Sequence, residues 1–185
     1  MSTIPLDSLH RAMFGTASGL VSLDMTTLYL SAAKLAPGLG NVLYNFHHRG
    51  WWKRATIYSR IYPDPATDRA FLAVETTIPP SGRHDPQAVF EDFRRHMEEL
   101  GLAGGLALEG HERTGNCYPL YTPGSDAHIR QVIRRISQTG VVPAGRQGRF
   151  EYLPTSSGVI RRVAEELDTA ARQALFSGHS GVRCL

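Results

Sequence analysis

The residues with most chemical content stand at Gly145-Arg146-Gln147-Gly148 and in the stretch that follows. A glycine turn leaving the short apolar run Val141-Val142-Pro143-Ala144 presents backbone N–H groups, and a helix opening near Thr155, Ser156 and Gly158 adds the positive end of its dipole. Both favour an anion. Arg146 offers a charge-assisted fork to phosphate or carboxylate. The turn is not the Gly-x-Gly-x-x-Gly dinucleotide fingerprint, and neither that fingerprint nor a P-loop occurs elsewhere in the 185 residues.

Other groupings point away from chemistry. His47 and His48 are adjacent, so in a strand they face opposite sides, and Cys117, His111 and Cys184 lack zinc spacing. No metal is expected. Trp51-Trp52-Lys53-Arg54 has the residue types of a nucleic-acid stacking platform, but it reads more simply as a loop entering a sheet with one indole buried. No Gly-x-Ser-x-Gly elbow accompanies Ser157-Gly158 or Ser180-Gly181, and Glu75 and Glu112 show no spacing that pairs them as acid and base. Arg94-Arg95 and Arg134-Arg135 read as solvated helix faces.

The elements that must position the turn are legible from periodicity. Residues 3–12 read as an opening loop and a short helix. Alternation predicts strands over 20–35, 54–62 and 69–78, joined by turn-length connections that imply an antiparallel sheet. Asp85 as N-cap, Pro86 at the first helical position and Val89, Phe90, Phe93, Met97 and Leu100 at helical spacing predict a helix that Gly101 stops. A short strand is expected over 106–111. A second helix is expected over 125–138, with Ile129, Val132, Ile133 and Ile136 on one face. After a short buried strand at 141–144, a third helix is expected over 156–174, with a seam of Val159, Ile160, Val163, Leu167 and Ala171. The fold class is α+β: an antiparallel sheet with flanking helices, then a C-terminal strand, glycine turn and helix.

In this order the motifs carry a resemblance. Gly145-Arg146-Gln147-Gly148-Arg149-Phe150-Glu151-Tyr152, preceded some way upstream by Tyr118-Pro119-Leu120-Tyr121, is similar to the C-terminal part of the UDP-galactopyranose mutase-like and flavin amine oxidase superfamily. Tyr58-Ser59-Arg60-Ile61, Leu72-Ala73-Val74-Glu75 and Thr3-Ile4-Pro5-Leu6 also resemble family segments, so the likeness extends over residues 3–172. The resemblance implies FAD, with Gly145, Arg146, Gly148, Tyr152, Ser156 and Gly158 as cofactor contacts and Tyr58, Arg60 and Tyr118 lining a substrate cavity. It also implies a division into a substrate-domain-like part, 1–112, and an FAD-contacting segment, 113–175, before a disordered tail, 176–185. Ser156 stands where mutases carry an acidic residue, which argues against sugar-nucleotide mutase activity.

The family's Rossmann half is not in this sequence. The expectation is therefore a subunit of a split FAD-dependent oxidoreductase, completed by a separate Rossmann-type polypeptide and acting on a small molecule. A non-catalytic binding or regulatory module derived from the same fold is the alternative. The composition is that of an ordinary globular chain, 42% hydrophobic and 20% charged, with 18 Gly and 11 Pro. Net charge is +3, and only Lys34 and Lys53 of the 20 basic residues are lysines. No apolar run is long enough to cross a membrane, no export signal opens the chain, and two cysteines fit a reducing, cytoplasmic setting.

Overall fold

Strand β1 (Ser22–Leu35) shows why a sheet forms here. Leu28, Leu30 and Ala32, at a period of two, are buried, while Tyr29 between them is exposed. The computed structural model, which describes residues 1–178 except 48, 80, 81 and 83, pairs β1 antiparallel with β4 (Ala70–Ile78), Asp24 opposite Ile78 and Ala32 opposite Ala70. Strand β3 (Arg54–Ile57) lies beyond β4, and β2 (Val42–Tyr44) lies beyond β3. With β5 (Ala103–Pro119) along the other side of β1, the order is β2-β3-β4-β1-β5.

One face of this five-stranded antiparallel sheet is buried with helix α3 (Pro86–Glu99). Asp85 accepts hydrogen bonds from the N–H groups of Gln87 and Ala88, so the expected cap is present. Val89, Phe90, Phe93 and Met97 meet Leu28, Leu30, Ile57, Leu72 and Val74 in one core. Trp52 is buried edge-on against Phe93 and donates its indole N–H to His96 Nδ1 (3.0 Å), whereas Trp51 is half exposed. The Trp51-Trp52 pair is thus the loop with one buried indole.

The chain divides into two compact units, Ser22–Cys117 and a second made of Met1–Val21 with Tyr118–Leu185. The first 21 residues therefore group with the C-terminal segment, not with the sheet. In this second unit α1 (Leu6–Phe14) and α4 (Ser125–Ser137) bury Leu6, Leu9, Ile129, Val132 and Ile136 around Phe150. The remaining helices are α5 (Gly145–Gly148), a single turn, and α6 (Ser156–Gly178). Among the described residues no helix is long and apolar enough to cross a membrane.

Several sequence expectations are corrected. The strand expected over 54–62 stops at Ile57 and becomes the one-turn helix α2 (Tyr58–Ile61). Ser59 Oγ accepts from the Phe71 N–H (2.6 Å) and Arg60 turns onto the backbone carbonyls of Ala36 and Leu39, long-range bonds that hold the segment out of a strand ladder. Strand β5 is far longer than 106–111; Gly104, Gly105, Gly110 and Gly115 dilute its alternation. The run 141–144 forms a single parallel bridge, between Pro143 and Ser2, with Ser2 N–H on Val142 O and Ala144 N–H on Ser2 O, both 2.8 Å. Helix α6 is rotated from its expected seam. Glu166 is buried, while Ile160 and Leu167 are 70% and 48% exposed. Of the expected tail, 176–178 belong to α6 and 179–185 lie outside the described residues.

Candidate functional site

The glycine turn is a helical turn held by neighbours on several sides. Gly145 has φ +71°, a conformation that favours glycine, and its N–H donates to the buried carboxylate of Glu166 (3.1 Å). Gly148 is required by a close approach: a Cβ there would lie 2.7 Å from Ser2 O. Arg149 Nε meets Glu166 Oε1 at 2.8 Å, and Arg162 pairs with both Glu151 (2.8 Å) and Glu166 (3.3 Å). Burial by itself raises the Glu151 carboxyl, but hydrogen bonds and charge from Arg162 and then Arg149 outweigh it and hold Glu151 below the ordinary carboxylate range. Its bond to Glu151 raises Arg162 in turn.

On this scaffold three of the expected site residues come together. The Arg146 guanidinium carbon stands 5.4 Å from the centre of the Tyr118 ring and 5.5 Å from that of Tyr152, and the two rings are 5.9 Å apart, tilted by 45°. These distances lie within cation–π range. Tyr152 is half exposed. The wall so formed, a planar cation beside two neighbouring phenol rings, suits a flat or anionic ligand. A cavity of about 590 Å³ in the same unit is lined instead by Val142, Pro143, Arg149, Arg162 and Glu166.

The other expected residues are placed differently. Ser156 is exposed at the first turn of α6, and the Gly158 N–H donates to Thr155 Oγ1 (3.1 Å), so the threonine satisfies that helix-end donor. Tyr58 and Arg60 belong to the sheet unit. Tyr58 is exposed, and the Arg60 guanidinium donates to Leu39 O and to Ala36 O (3.2 Å), tying down the loop after β1. Among the described residues no group of His, Cys, Asp or Glu could hold a metal.

Sequence reasoning missed Glu166. Its signal was an acidic residue three positions after Val163 on the inner side of α6, where an apolar residue would normally fall. It also missed Tyr121, whose hydroxyl donates to Phe150 O (3.0 Å) and accepts from the Tyr152 N–H (2.9 Å).

A five-stranded antiparallel sheet with helices, and a second unit carrying a glycine turn beside an arginine–tyrosine wall, define an α+β fold that known structures share. The chain matches a reduced UDP-galactopyranose mutase at a TM-score of 0.66 and 19% identity, over 80% of this chain and 36% of that one. It matches a putative protoporphyrinogen oxidase from Exiguobacterium sp. 255-15 at 0.58 and 16%, over 90% of this chain and 40% of that one. The chain thus spans well under half the length of either. At these identities the likeness is one of fold, and at that level it agrees with the resemblance read from the sequence. No protein-family model matches the chain, and no curated protein matches it.

Proposed function

We propose that this chain supplies the substrate-side and flavin-facing part of an FAD-dependent oxidoreductase whose dinucleotide-binding half is a separate Rossmann-type polypeptide. The observation that carries the reading is the wall of Tyr118, Arg146 and Tyr152, within a fold shared with a mutase and a putative oxidase. The donor set fits a flavin at Arg146, where a guanidinium backed by aromatic rings can meet a planar or anionic group. At Gly145 the N–H serves Glu166, and at Gly148 the Ser2 backbone packs, so these two glycines shape the turn and Arg146 makes the contact. Bound flavin would supply the exchange of electrons with a small-molecule substrate. This chain's residues would bind and orient, with Arg146 opposing negative charge and Tyr118 and Tyr152 walling the ligand.

A partner is supported by the outer face of α6. Ile160, Ala164, Leu167 and Ala171 recur at helical spacing and are exposed, a stripe that a soluble surface seldom carries unmatched. Leu167→Glu should therefore abolish co-purification of the partner while leaving this chain folded by circular dichroism; an intact complex would contradict the stripe's role.

A second reading, a binding module without cofactor, is favoured by one observation: the Glu166 carboxylate already occupies the N–H that the turn could offer an anion. Co-expression with the product of the adjacent reading frame separates the two. A yellow one-to-one complex with flavin absorbance is expected. A colourless, monodisperse monomer that takes up no FAD would overturn the flavin reading in favour of the module.

A further inference from the structure

We propose that Tyr121 is a positioning residue of the arginine–tyrosine wall, its hydroxyl fixing the backbone that carries Tyr152. Phe150 has φ +56°, a left-handed conformation that costs a non-glycine residue about 1–3 kcal/mol and persists only where its surroundings impose it. Two anchors impose it here. The Phe150 ring is buried in the core with Leu6, Ile129 and Ile136. On the backbone side, Tyr121 Oη donates to Phe150 O and accepts from the Tyr152 N–H, spanning the bend, while the Tyr121 ring stands edge-on to Phe150 at 6.2 Å.

The residue between the two bonds is fixed independently. Glu151 N–H donates to Arg146 O (3.0 Å), and its carboxylate is held by Arg162 and Arg149. The bend therefore has one arrangement, and that arrangement sets the Tyr152 ring 5.9 Å from Tyr118 and beneath Arg146. Tyr118 and Tyr121, three residues apart, divide the work: one gives its ring to the wall, the other clamps the wall's second ring.

The clamp stands on its own geometry; only its consequence for a ligand rests on the flavin reading. Amide exchange in the unaltered chain tests it first, because a Tyr152 N–H bonded to Tyr121 exchanges well below loop rates, and exchange at loop rates would overturn the proposal. Tyr121→Phe keeps the ring against Phe150 and removes both bonds. Tyr152 exchange should then rise about tenfold with no change at Ile136, whereas equal acceleration at both would show a general structural role and overturn the local one.

In the flavin-loaded complex, Tyr121→Phe should weaken FAD binding about tenfold, and that factor should vanish in a Tyr152→Ala background. Equal weakening in both backgrounds would mean that Tyr121 does not act through Tyr152. If the complex takes up no flavin, the proposed function fails, and the exchange result still decides the clamp.

Discussion

Two four-residue helical turns, α2 and α5, invite direct comparison. Each follows an extended segment, Arg54–Ile57 or 141–144, and each carries one arginine, Arg60 or Arg146. Their surroundings use the arginine in opposite ways. Around α2 the nearest acceptors are the carbonyls of Ala36 and Leu39, and Arg60 becomes a brace for its own unit. Around α5 the carboxylates of Glu151 and Glu166 pair with Arg149 and Arg162, and the Arg146 guanidinium stands within cation–π distance of two tyrosine rings.

The comparison can be broken by substitution. The largest effect is expected at Gly148, where a methyl group must push Ser2 aside: Gly148→Ala should cost about 1–3 kcal/mol in denaturant unfolding. An unchanged midpoint would show that the packing of α5 is loose. Arg60→Ala comes next, with a loss of about 1–2 kcal/mol from two carbonyls deprived of a charged donor. Arg146→Ala is expected to cost least of the three, the lost cation–π contacts to Tyr118 and Tyr152 being worth about 1 kcal/mol at a partly exposed site. If Arg146→Ala destabilises as much as Arg60→Ala, both arginines are braces and the distinction fails.

The smallest effect is one of pH. Because Glu151 titrates below its ordinary value of 4.5 in the folded chain, its pairing with Arg162 and Arg149 stabilises the fold above that value. That contribution is lost as pH falls through the depressed folded value. Glu151→Gln should flatten this segment of the stability profile and leave the slope at higher pH unchanged; a parallel shift at all pH values would place the effect elsewhere. In the sheet unit Asp24, held down chiefly by its bond from Arg113, predicts the same sign for Asp24→Asn.

Much of the fold was legible because the signals were local. Asp85, Pro86 and the spacing from Val89 to Met97 define α3 with its cap, and alternation from Leu28 to Ala32 defines the middle of β1. What escaped depended on contacts distant in sequence. Nothing in Tyr58-Ser59-Arg60-Ile61 announces that Phe71, Ala36 and Leu39 will pull it out of a strand. The buried face of α6 departs from its apolar periodicity for a related reason. Ile160 and Leu167 suit a core by type, yet the inner face carries Glu166, whose charge is matched by Arg149 and Arg162. Of the site, the grouping of Tyr118, Arg146 and Tyr152 follows the motif order, while the Tyr121 clamp needs the bend at Phe150 to be seen.

The most direct test compares flavin content in co-expressed complexes carrying Arg146→Ala or Arg60→Ala, read as the ratio of flavin to protein absorbance. The account predicts about a tenfold lower flavin affinity for Arg146→Ala, seen as reduced occupancy at limiting FAD, and unreduced occupancy for Arg60→Ala. Full occupancy in the Arg146→Ala complex would contradict the assignment of the arginine–tyrosine wall to the cofactor.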